Sequence, residues 1–201
     1  PENQHYRYDY FYNNCSTMLR DIIVKNFGDS VKFDGSYIKT NYTIRELTDI
    51  YLGNQPWGDL GIDICLGVPM DKVATPYEYM FLPDYLETGI DHATITHRGA
   101  VVPLVKKKEV IYEARPEEIS RSVFEPLFIF LAFAVIAIGL SVYDLRQKKA
   151  TNLFDVLLFG VTGIIGFLLL FLWIATDHAA AARNMNLLWA LPTNLIAVIA
   201  F

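Results

Sequence analysis

"YRYDYFYNNCSTMLRDII", residues 6–23, changes its period midway, and that change decides the fold class. Tyr6, Tyr8, Tyr10 and Tyr12 alternate with Arg7, Asp9 and Phe11, a period of two that predicts a strand with the tyrosines on one face. After Cys15 the apolar residues Met18, Leu19, Ile22 and Ile23 fall at helical spacing, and Gly28 in "NFGDS" supplies a stop. A strand feeding a helix predicts an α+β domain, with the chain's first thiol on the first turn of the helix.

Downstream segments extend this pattern. "TIRELTDIYLGN" sets Thr43 three residues before Glu46, the spacing of a capping box, and predicts a short helix ended by Gly53. "PWGDLGIDICLG" and "PYEYMFLPDYLETG" predict short helices punctuated by proline and glycine. "ATITHRGAVVPLVKKKEVIYEA" predicts a hairpin turning at "HRGA", with Val101, Leu104, Val110 and Ile111 as its apolar positions. "RPEEISRS", residues 115–122, is a polar linker.

Beyond that linker the composition shifts. The chain is 53% hydrophobic overall, but the excess is concentrated after residue 122, so residues 1–122 read as one soluble domain and 123–201 as a membrane region. "PLFIFLAFAVIAIGLSVY", 126–143, and "VLLFGVTGIIGFLLLFLWIA", 156–175, are free of charge over 18 and 20 residues, enough for each to cross a hydrocarbon core. "LLWALPTNLIAVIAF", 187–201, reads as a partial third span. The short loop between the first two carries Arg146, Lys148 and Lys149, which places that loop in the cytoplasm and the N-terminal domain outside. Arg115, Arg121 and Lys106–Lys108 count the other way, but translocated domains largely escape the rule. Both ends look cut: the chain opens at Pro1 already entering the tyrosine segment and closes at Phe201 within an apolar run.

Acids outnumber bases, 22 to 17, and no basic stripe extends past Lys106–Lys108, which argues against nucleic acid. No phosphate-binding glycine loop is present, and the two cysteines lie 50 residues apart, without the paired spacing of a zinc site. The reading therefore includes no metal and no cofactor.

The chemistry centres on Cys15. Unpaired N–H groups and the dipole at a helix start favour a thiolate over a thiol, and the same N–H groups can bind the oxyanion formed when a thiolate attacks a carbonyl. Asn13, Asn14 and Ser16 stand close by as orienting or oxyanion candidates. A lone cysteine beside an apolar helix is ordinarily a buried, inert residue, but the polar flanks in "NNCST" argue against burial. None of the four histidines is a natural base: His5 is ten residues up the same expected strand, His92 and His97 flank a hairpin arm, and His178 lies past the second span. Cys65, between Ile64 and Leu66, reads as a buried hydrophobe, and a Cys15–Cys65 disulfide is not expected because it would consume the nucleophile. Asp177, His178, Arg183, Asn184 and Asn186 cluster after the second span, where they could meet a phospholipid headgroup or simply cap helices and face water.

Residues 6–23, "WGDLGIDICLGVPMDKVATPYEYMFLPDYL" (57–86) and "DHAAAARNMNLLWALPTNLIA" (177–197) together resemble the Lnb-type lipoprotein N-acyltransferases of Bacteroides-like bacteria. The resemblance implies an extracytoplasmic thiol domain of permuted papain-like (NlpC/P60-like) fold, here incomplete, followed by transmembrane helices in a bacterial inner membrane. It implies Cys15 as the acyl-accepting thiol, with the catalytic histidine on an upstream strand. It further implies membrane phospholipid as acyl donor and the N-terminal amine of a lipoprotein as acceptor. Two other readings stay open: an NlpC/P60-like cysteine hydrolase of cell-wall peptides, and a non-enzymatic membrane-anchored binding module.

Overall fold

The computed structural model describes residues 6–113, 124–148 and 152–200. His5, Arg115, Arg121, Lys149 and the expected linker at 115–122 lie outside the described residues. The chain forms two compact units: Pro1–Leu47 with Lys72–Glu117, and Thr48–Asp71 with Glu118–Phe201.

In the first unit, α1 (Cys15–Phe27) runs from the thiol to Gly28, whose φ of 53° is the left-handed value that favours glycine and ends the helix. Three short antiparallel strands follow in the order β1 (Val31–Lys32), β2 (Thr94–His97), β3 (Ala100–Pro103), with Val31 opposite Ile95 and Ile95 opposite Val102. The β2–β3 hairpin turns through Arg98 and Gly99, at φ 51° and 81°, the paired positive φ that a two-residue turn demands. The strand pairing ends at Pro103, with one further bond from the Leu104 N–H to the Ala93 carbonyl at 2.9 Å, and Val110 and Ile111 stand exposed rather than in the apolar ladder expected of them.

Helix α2 (Ile44–Leu52) begins at the expected capping box: the Thr43 N–H donates to Glu46 and the Glu46 N–H to the Thr43 hydroxyl. Helix α3 (Pro56–Cys65) and the pair α4 (Pro76–Tyr79) and α5 (Pro83–Asp91) each carry proline in the first turn, where its missing N–H costs nothing. The first unit's core forms from Ile44 and Leu47 of α2, the run Tyr79–Leu82, and Leu86 of α5. Tyr79 is fully buried, and its hydroxyl donates to the Thr40 carbonyl at 3.0 Å and accepts from the Tyr42 N–H at 2.9 Å. Helices plus a three-stranded sheet make the unit α+β, the expected class, with the strands supplied by the hairpin and Val31–Lys32.

The tyrosine strand does not form. Asp9 Oδ1 accepts the N–H groups of both Phe11 and Tyr12 at 2.9 Å, and Asp9 and Asn13 exchange two backbone hydrogen bonds. This side-chain turn reverses the chain and overrides the alternation, leaving Tyr6, Tyr8, Tyr10 and Tyr12 exposed while Phe11 turns into the core.

The second unit holds two apolar helices, α6 (Pro126–Gln147) and α7 (Asn152–Ala175), of 22 and 24 residues. At 1.5 Å per residue they span about 33 and 36 Å, enough to cross a bilayer. The stretch from Leu187 is not one continuous helix: a 3-10 turn over Met185–Leu188 leads to α8 (Asn194–Ala200). Helix α8 lies on α7 at Gly163, where an added Cβ would meet Leu195, and the segment before it lies on Gly166, where a Cβ would meet the Ala190 carbonyl; Asn194 Nδ2 donates to Thr162 at 3.0 Å.

Residues 48–71 pack within this second unit, although their composition reads as part of the soluble region. Trp57 Nε1 donates to the Phe124 carbonyl at 2.7 Å, and the Gly67 N–H donates to Ala180 O at 2.7 Å.

Candidate active site

Cys15 is the first residue of α1 and is exposed. Its position is fixed by Asn14, the N-cap. The Asn14 Oδ1 accepts from the Thr17 N–H at 2.9 Å and the Asn14 N–H donates to Thr17 Oγ1 at 2.8 Å, a reciprocal box. Asn14 Nδ2 donates to two carbonyls, Tyr10 at 2.8 Å and Phe81 at 2.9 Å. One buried amide thus ties the Asp9 turn, the helix start and the segment leading into α5. Asn13 makes one side-chain bond, its Nδ2 donating to the Arg7 carbonyl at 2.6 Å.

The next turn is pinned as well. Arg20, 7% exposed, donates to the Tyr77 carbonyl at 3.0 Å and to Asp21 at 2.8 Å, and its guanidinium lies 3.8 Å from the centre of the Tyr77 ring. Burial works against the charge on Asp21, but hydrogen bonds from Arg20 and Tyr77 outweigh it and hold the carboxyl below its ordinary value. Of the three sequence candidates beside Cys15, Asn13 and Asn14 act as braces, while Ser16 is buried against the groove wall.

Beside Cys15 an open groove of about 500 Å³ runs between α1 and α5. Leu19 forms one wall and Pro83, Leu86 and Ile90 the other. Its charged residues are Glu87, Asp91 and Lys108, and Lys108 donates to both carboxylates, at 2.5 and 2.7 Å. Among the described residues no histidine lines this groove. His92 caps α5, with Nδ1 2.9 Å from the Thr88 carbonyl and its ring against Tyr37, and His97 ends β2, exposed. The groove went unread in the sequence because its two walls are some seventy residues apart; only the i, i+4 spacing of Leu86 and Ile90 hinted at one.

In the second unit the polar cluster after α7 separates. Asn184 is buried and donates to the Ile64 carbonyl at 2.7 Å, while Asn186 donates to the same carbonyl at 3.0 Å and takes the Trp189 indole N–H. These two asparagines cap the C-terminal end of α3. Asp177, His178 and Arg183 remain exposed, with His178 Nδ1 2.8 Å from the Thr176 hydroxyl. Cys65, at the end of α3, is half-buried and free; burial pushes its thiol up, away from thiolate.

One constellation was missed in the sequence. Oxygens of Asp49, Asp59 and Asp63 lie within 4.8 Å of one another, a spacing that could share a proton or a cation. Burial, then the neighbouring Asp63, raises the Asp59 carboxyl above its ordinary value, and its Oδ1 is buried without a hydrogen-bond partner. Asp59 and Asp63 stand at i, i+4 on α3, but only the fold brings Asp49 to them.

Residues 118–201 match the family described as the Lnb transmembrane domain. No curated protein and no solved structure matches the chain.

Proposed function

Because the membrane half of this chain belongs to the Lnb transmembrane domain family, we propose that the protein is a thiol-dependent lipoprotein N-acyltransferase with Cys15 as nucleophile. The observation that carries the reading is an exposed cysteine on a braced helix start that opens onto an apolar groove, in a protein with a membrane domain.

The Cys15 thiolate attacks an ester carbonyl of a membrane phospholipid. A C–S bond forms, the acyl C–O bond breaks, and the departing lysophospholipid oxygen takes a proton from a general acid. The amine of a lipoprotein's N-terminal cysteine then attacks the thioester; a C–N bond forms, the C–S bond breaks, and the amine's proton passes to the base as thiolate is restored. In the permuted papain-like order that base is a histidine preceding Cys15. The oxyanion in each step falls to the first-turn N–H groups of Cys15 and Ser16, since both Nδ2 hydrogens of Asn14 are spent on carbonyls and the Asn13 amide is turned to the Arg7 carbonyl.

Both substrates are lipid-anchored, so holding the thiol domain at the bilayer raises its encounter rate with each. Arg146 in the last turn of α6 and Lys148 just after it favour a cytoplasmic loop, a periplasmic thiol and an inner-membrane location, with α8 starting a third crossing. Asp177, His178 and Arg183 are exposed and would meet a headgroup at the membrane face.

The test is intact-mass spectrometry of the detergent-purified protein after incubation with phospholipid and no amine. A fatty acyl adduct that hydroxylamine removes and Cys15→Ser abolishes is the expected result. If Cys15 reacts with a thiol probe yet takes no acyl group from phospholipid, the donor assignment falls and a peptide hydrolase becomes the better reading.

A further inference from the structure

Asn14 donates to the Phe81 carbonyl, two residues before α5, so Cys15 sits at the N-terminal end of that helix. The groove then follows α5 past Leu86 and Ile90 to Lys108, which is bonded to Glu87 and Asp91. From Pro83 to Asp91 that wall runs about 12 Å. Its volume of about 500 Å³ falls in the range of small-ligand sites.

The walls offer aliphatic side chains, with Leu19 57% exposed opposite Leu86 and Ile90. An extended peptide would need hydrogen-bond partners for its backbone, and the charged groups present already satisfy one another. A saturated chain needs no such partners, and it would remove exposed apolar surface from water.

We propose that this groove binds the alkyl part of the acyl group carried by Cys15, with Leu19 and Ile90 as its walls and the Lys108 ion pairs as its far end. The inference rests on Cys15 as acyl acceptor and adds where the chain lies and which residues select it. Chains that pass the Lys108 clasp must displace it or turn out to solvent.

Alkyl methanethiosulfonates test this without requiring acyl transfer. The thiolate displaces sulfinate from sulfur and forms a mixed disulfide, so the rate at Cys15, located by peptide mass, reports how well the alkyl group is held. In the detergent-purified protein the octyl reagent is expected to react about tenfold or more faster than the methyl reagent, because burial of each added methylene favours the bound chain. Ile90→Trp, which fills the groove, and Leu19→Ser, at an exposed position, should each remove most of that preference. Ile22→Ser, on α1 but off the groove, should keep it.

Equal rates for the two reagents, or an equal loss in Ile22→Ser and Leu19→Ser, would overturn the groove as a chain site. The two claims fail separately. A phospholipid thioester without length preference removes the groove and leaves the transferase; a length preference without any thioester keeps an alkyl site and removes the transferase.

Discussion

Asn14 commits its side-chain oxygen and its amide to three backbone groups, and it is the residue on which the position of Cys15 depends. Asn14→Ala removes the helix cap, a loss of about 1–2 kcal/mol. It also leaves the Phe81 carbonyl, in the buried Tyr79–Leu82 run, without this donor, a further cost of about 1–3 kcal/mol. Asn14→Asp keeps the acceptor for Thr17 and loses both donated bonds, so it should fall between wild type and alanine. Thermal unfolding orders the three; an Asp variant as stable as wild type would mean the donated bonds contribute nothing, and equal Asp and Ala variants would mean the same of the cap. The sequence "NNCST" was enough to place the thiol on a first helical turn, because capping residues next to an apolar-periodic run are a local signal. What the two asparagines bind was not legible, since the partner of Asn14 at Phe81 is 67 residues away. Tyr6–Tyr12 misled for the opposite reason: the alternation is real, but a single carboxylate at Asp9 folds it into a turn.

At the scale of elements, α4 shows how a helix of four residues is held. Thr75 and Glu78 form a capping box, and Lys72 donates to Glu78 at 2.7 Å. Burial alone would raise the Glu78 carboxyl, but the hydrogen bonds from Lys72 and Thr75 outweigh it and hold it below the ordinary value of 4.5. A carboxyl lowered on folding contributes stability above its unfolded value and loses it as pH falls through the folded one. Asp21, held down through Arg20 and Tyr77 in the same unit, acts in the same sense from its ordinary 3.8. The melting temperature of the N-terminal unit should therefore hold between pH 7 and 5 and decline below about pH 4.5. Glu78→Gln should start lower and decline less steeply. An unchanged slope in that variant would assign the acid sensitivity to other carboxyls. The Thr43–Glu46 box was read from its Thr-x-x-Glu spacing and the Thr75–Glu78 box, with the same spacing, was not, while the Lys72 bond needed the turn that returns the chain on α4.

For the molecule as a whole, a hydropathy reading draws one boundary near residue 122, whereas the fold weaves the chain: it leaves the first unit at Thr48, returns at Lys72 and leaves again at Glu118. Composition cannot reveal this, because α3 carries aspartates and tryptophan like a soluble helix, yet its last carbonyls are met by Asn184 and Asn186 from beyond α7. The membrane helices were legible for the reason α3 was not, since a bilayer demands an apolar length that sequence displays directly. Helix α6 buries none of its side chains, and Phe128, Val135 and Ile138 are left facing outward, which only a lipid solvent makes favourable. The proposed orientation, argued from Arg146 at the end of α6 and Lys148 just after it, can be read with a membrane-impermeant maleimide on spheroplasts of cells making the Cys65→Ala protein. Cys15 should label before lysis. In Cys15→Ser/Cys65→Ala protein, Lys148→Cys should label only after lysis. The reverse pattern would put the thiol in the cytoplasm, away from the lipoprotein amines that emerge on the outer side, and acyl transfer to them would no longer be tenable.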